Sequence, residues 1–268
     1  MHKRHFLPFC LFNSFALLAV PALVGAAFDA PPPEPYSFAL ANLAAFPDPW
    51  LDHRPEARGG LSAGGARLYG LPEVQPFAFR AAVRGWGGLL RARGRGLNSG
   101  PYSETAAALG GEIPLGEGFH VGADAQVLQV AIDDYGSDQV FQMDANARWD
   151  LAPDLSLAAA AVNLAGARLG EGGYELPRRL ALGARYDPIP VLRLYVEIEQ
   201  EVHFPLSLRI AAIFQPLDRV ALLAGYQSDP GLVSAGLGGR VGPVQATAAY
   251  QYHPDLGFSQ CYGLAVTF

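Results

Sequence analysis

The chain is short of charge, nearly without cysteine, and has no long apolar run past its N-terminal stretch. Only 16% of its 268 residues are charged, against about a quarter in an average soluble domain. The two cysteines are Cys10 and Cys261. Cys10 falls in a segment expected to be removed, so no intramolecular disulfide can staple the product. A net charge of −6 leaves no basic footprint, so nucleic acid is not an expected partner. No later run reaches the roughly 18 apolar residues of a membrane-spanning helix. The best candidate, 205–226, is broken by Arg209, Pro216, Asp218 and Arg219. Metal-ligand spacings and Ser/His/acid constellations are missing as well, so neither a cofactor nor an enzyme is expected. His120 and Asp124 share one face of a strand, a pattern too weak to define a site.

What is present begins with an export layout. Met1 to His5 is basic, residues 6–20 are almost wholly apolar, and Val24, Gly25 and Ala26 are small. This predicts a secretory signal peptide over 1–26, with an N-terminal anchor as the alternative. A Pro-rich irregular segment follows over 27–58, and the rest of the chain, 59–268, is dominated by alternation.

In SDQVFQMDANARWD, Phe141, Met143, Ala145, Ala147 and Trp149 alternate with Gln142, Asp144, Asn146 and Arg148. In VLRLYVEIEQE, Leu192, Leu194, Val196 and Ile198 alternate with Arg193, Tyr195, Glu197 and Glu199. A period of two means strands. The 22 prolines and 31 glycines punctuate them. Short Pro-bearing turns follow an aromatic residue in RWDLAPDLSL, RYDPIPVLRL and IFQPLDRVALL, and looser polar connections lie between them. Trp149, Tyr186 and Phe214, with Phe268, thus mark one rim. Tight turns and an aromatic girdle at one end, looser loops at the other, match a transmembrane outer-membrane barrel. Such a barrel contacts outer-membrane lipid around its whole circumference.

The C-terminal stretch CYGLAVTF carries the same signal. Tyr262, Leu264, Val266 and Phe268 fall on one face, with Gly263 between the first two. It resembles the C-terminal signature of bacterial outer-membrane proteins, which implies recognition by the barrel-insertion machinery. Reading backwards gives about fourteen antiparallel up-and-down strands, from 257–268 to 59–69, with twelve as the alternative because bacterial barrels favour even numbers.

Further landmarks are ANLAAF at 41–46, RLYGLPEV at 67–74, YSE at 102–104, AVNLAG at 161–166 and ELPRRLALGARY at 175–186. Together they resemble the PorV/PorQ group, a relative of FadL-type long-chain fatty-acid transporters. The resemblance implies a barrel with an N-terminal hatch in the outer membrane. It also implies either passage of a hydrophobic ligand or assistance to a type IX-like secretion system, with secretion components as partners. The alternatives from the residues alone are an anchoring barrel without transport and a secreted soluble β-sandwich.

Lumen-facing positions of the last strands are small: Ser234, Gly236, Gly238, Thr247, Ala249, Gly263 and Ala265. Residues 27–58 have room to fold inward there; the other reading is a disordered periplasmic tail. The expected lumen charges are Arg91, Arg93, Arg95, Asp144, Arg148, Arg185, Arg193, Glu197, Glu199 and Arg209, with Arg80 and Arg84 beside them. They read either as ion pairs with neighbouring strands and the hatch, or as an anion-attracting constriction. Reflection across His203 sets Glu197 opposite Arg209. Reflection across Ile189 sets Arg185 opposite Arg193, a like-charge pair that needs a carboxylate from elsewhere, expected from the hatch.

Overall fold

The computed structural model describes residue 28 and residues 33–52, 57–85, 87–170 and 173–268. The expected signal peptide lies outside these residues. The described chain runs up and down through β1 (Gly59–Arg67), β2 (Phe77–Gly85), β3 (Gly88–Ser99), β4 (Tyr102–Gly116), β5 (Phe119–Ile132), β6 (Gly136–Ala152) and β7 (Leu155–Val162). A small excursion, β8 (Arg168–Leu169) and β9 (Tyr174–Glu175), forms its own hairpin. The wall resumes with β10 (Arg179–Ile189), β11 (Leu192–Glu201), β12 (Ser207–Leu217) and β13 (Val220–Gln227), and ends with β14 (Leu232–Val241), β15 (Val244–His253) and β16 (Gly257–Thr267).

All strands except β8 and β9 form one closed barrel of 14 strands in which β1 pairs with β16. This decides against twelve strands and against a sandwich, because the sheet has no edge left. Closure runs through Gly60 opposite Thr267 to Arg67 opposite Gln260. Phe268 extends it: its N–H donates to the Gly59 carbonyl at 3.0 Å, and its own carbonyl accepts from Arg58 and Gly59. Pairing thus runs the length of β1 and leaves no open sheet edge to lipid, as a membrane wall requires.

Alternation sorts the two faces. Val196 and Ile198 are exposed on the outer wall, while Tyr195, Glu197 and Glu199 between them are buried. Leu264, Val266 and Phe268 are likewise exposed, and Ser259 and Cys261 are buried. Exposed here means presented to lipid, so the outer surface is apolar and the polar side chains are enclosed. The four rim aromatics, Trp149, Tyr186, Phe214 and Phe268, are exposed at the end of the barrel with the tight turns.

The register also bears on the two reflected pairs. Glu197 lies opposite Arg209 on β12. Arg185, however, lies opposite Tyr195, not Arg193: the turn is centred past Ile189, which pairs with Leu192, and the register shifts between Tyr186 and Ile189. The countercharge does not come from the hatch either. Asp187, beside the shift, takes Arg193 through two bonds of 2.9 Å and approaches Arg185 at 3.8 Å. An irregular turn thus brings a local carboxylate to both arginines.

Candidate functional site

Residues 33–52 occupy the lumen. A five-residue helix, Pro35–Ala39, starts with proline at its first position, where the missing N–H costs nothing. It ends as Ala41 and Asn42 take left-handed backbone (φ 56° and 54°). That reversal sends the chain back across the lumen to a second short helix, Pro49–Asp52. The apolar side chains of this segment, including Phe38, Leu40, Phe46, Trp50 and Leu51, are buried against inward-facing wall residues. Phe46 meets Tyr195 of β11 edge to face, with centroids 5.1 Å apart.

The wall is shaped for it. A Cβ on Gly225 would stand 2.7 Å from the Ala41 nitrogen, and one on Gly236 would stand 2.7 Å from the Ala39 Cβ. Ser234 Oγ donates to the Ala39 carbonyl at 2.9 Å. The small inward residues of the last strands therefore mark where the hatch lies against the barrel.

Charges pin the opposite side. Glu197 is fully buried; its Oε1 accepts the Ala44 N–H at 3.0 Å and its Oε2 the Ala45 N–H at 2.8 Å. Arg209 donates to the Asn42 carbonyl (2.6 Å), to Glu197 (3.3 Å) and to Glu199 (2.5 Å). Across the lumen Arg80 pairs with Glu34 and Asp48 of the hatch. Arg91 joins Asp48 (3.4 Å) to Asp124 of β5 (2.9 Å).

The remaining expected lumen residues are placed as follows. Arg93 reaches Asp124 at 3.1 Å, and Arg95 lies over the Phe28 ring at 5.3 Å. Arg148 bridges Glu112 at 3.3 Å and Asp150 at 3.5 Å. Asp144 accepts from Gln126 and Gln142, each at 2.8 Å, and from the Asn163 N–H. His120 sits between Glu112 and Asp150, within an ion-pair cluster. The sequence reading named no hatch carboxylate. Glu34 and Asp48 lie in an irregular segment where no period assigns a face, and only the arginine excess of β2 and β3 hinted that acids must come from there.

Above the hatch, toward the looser loops, the lumen opens into a cavity of about 660 Å³. Leu43, Ala44 and Pro47 of the hatch line it, and Arg93, Arg95 and Arg179 project from the wall with Gln126 and Gln142. At its mouth the β8–β9 hairpin carries Glu175, whose carboxyl is held below its ordinary range by Arg168 and by His203 of the next turn. Asn163 ties down the start of that excursion through the Ala167 N–H and the Leu176 carbonyl.

A closed barrel with an apolar belt, with residues 33–52 packed inside it beneath an open vestibule, is an outer-membrane barrel. No protein-family profile matches the sequence, and no curated protein matches it. Solved structures do. The chain superimposes on the CymD monoaromatic hydrocarbon channel with a TM-score of 0.63 at 10% identity, covering 88% of this chain and 98% of that one. The toluene transporter TodX of Pseudomonas putida gives 0.58 at 10% identity over 86% and 94%. A FadL homologue from Pseudomonas aeruginosa gives 0.59 at 10% identity over 89% and 98%. At these identities the likeness is one of fold.

Proposed function

We propose that the barrel passes hydrophobic compounds across the outer membrane, with residues 33–52 as the internal barrier. The observation that carries this reading is the plugged lumen with its roughly 660 Å³ vestibule, a volume suited to one small ligand. The fold likeness to CymD, TodX and the FadL homologue supports it, since the first two are described as hydrocarbon or toluene carriers. The polar vestibule wall would hold water and the ligand's polar end, while Leu43, Ala44 and Pro47 offer an apolar floor.

The test is uptake of labelled monoaromatic and long-chain compounds by cells with and without the protein. Faster uptake of either class, with sugar flux unchanged, is the expected result. Faster sugar flux alone would make it a general porin. The alternative, assistance to a type IX-like secretion system, rests on the motif resemblance. It predicts co-purification with a secretion component and unchanged uptake.

A further inference from the structure

Around the outer end of the wall the apolar belt gives way to polar side chains. Asn98, Thr105, Gln129, Gln200 and Gln260 hold lipid-facing positions on β3, β4, β5, β11 and β16, by the alternation that buries their neighbours. This ring marks the headgroup level. At the closing seam it carries a cation, Arg67, the last residue of β1, exposed on the same face as Leu61.

Arg67 lies opposite Gln260, and Gln260 lies opposite Tyr250 on β15. Tyr262, the next lipid-facing residue of β16 toward the tight-turn end, donates its hydroxyl to Gln260 Oε1 at 3.0 Å and meets the Tyr250 hydroxyl at 3.0 Å. With the amide oxygen of Gln260 so engaged, its NH₂ group remains as a donor beside the Arg67 guanidinium. No hydrogen bond or ion pair with a described residue engages Arg67. Beneath the patch lie Leu61, Leu264 and Val266, and at its outer side Tyr252 and Phe258 pack with centroids 4.8 Å apart.

We infer that this patch binds the phosphate of an outer-leaflet lipid. A guanidinium on the lipid-facing wall at the headgroup level meets lipid phosphates, and its fork of N–H groups matches phosphate geometry. The Gln260 NH₂, its amide oxygen held by the Tyr250–Tyr262 hydroxyl chain, completes a charge-assisted set. The apolar strip below takes acyl chains. Bound there, the lipid spans β1 and β16 and clamps the outer end of the seam. The inference is independent of what passes through the lumen.

The test uses the purified barrel in detergent with bis-phosphorylated lipid A, its dephosphorylated form, or inorganic phosphate, with bound lipid counted by native mass spectrometry. Wild type should retain the phosphorylated lipid, as should R219A, which alters an exposed arginine at the tight-turn end. R67A should lower retention about tenfold or more, Y262F less, and R67K should restore part of it. Unboiled gel migration verifies that each variant is closed, and R67Q replaces R67A if that variant is not. Retention by R67A within about twofold of wild type would overturn the proposal. So would equal retention of the dephosphorylated lipid, or displacement by millimolar inorganic phosphate.

Discussion

At the scale of single residues, the most consequential side chain is Glu197. It has no exposure, and it joins β11 to the hatch through two backbone N–H groups and to β12 through Arg209. Glu197→Ala leaves two buried N–H donors without an acceptor and Arg209 with Glu199 as its remaining carboxylate, a loss expected to be about 1–3 kcal/mol for each donor left unpaired. The check is the temperature at which the compact gel band converts to the slow one, which should fall. Gly225 allows a gentler probe. A methyl group there would stand 2.6 Å from Ser234 Oγ, 2.7 Å from the Ala41 nitrogen and 2.9 Å from the Ala39 carbonyl, so Gly225→Ala should push the hatch and its Ser234 bond away while leaving the wall paired. Raised conductance in planar bilayers at unchanged thermal stability is the expected outcome; unchanged conductance would mean that the hatch absorbs the methyl group by shifting.

At the scale of elements, the terminal strand matters most. The backbone of Phe268 closes the seam through three hydrogen bonds, and its ring is exposed at the tight-turn rim. Phe268→Asp keeps the backbone bonds, removes the ring and adds a charge on the lipid-facing rim, a modest cost near the interface, so the larger part of an assembly defect reports recognition of the side chain by the insertion machinery. Precursor should accumulate in the periplasm; normal levels in the outer membrane would argue against that role. The strands themselves were legible because each has one face in lipid and one in the lumen, which imposes a strict period of two. The same strictness set Glu197 opposite Arg209 across a regular turn. It failed for Arg185 and Arg193, because the turn is centred past Ile189 and the register shifts beside it, neither of which the period records, and Asp187 there takes both arginines.

At the scale of the whole molecule, residues 33–52 fill part of the lumen, and the proposed function makes them its barrier. Deleting residues 33–52 removes the buried core of the lumen and leaves inward charges such as Arg80, Arg91 and Glu197 facing water. The intact protein should show little steady conductance, and the deletion variant large, stable channels. Large channels from the intact protein would mean that the hatch does not seal.

The choice of fourteen strands over twelve came with closure of the sheet, whereas the sequence by itself determined the barrel: its strands, their lipid and lumen faces and its terminal strand. These follow from local alternation, which a membrane enforces residue by residue. The path of 33–52 was decided only by tertiary structure. That segment has no period, and its position depends on contacts far away in the chain: Ala44 with Glu197, Ala39 with Ser234, Glu34 and Asp48 with Arg80. Such partners meet only once the wall has closed and the lumen exists to hold them.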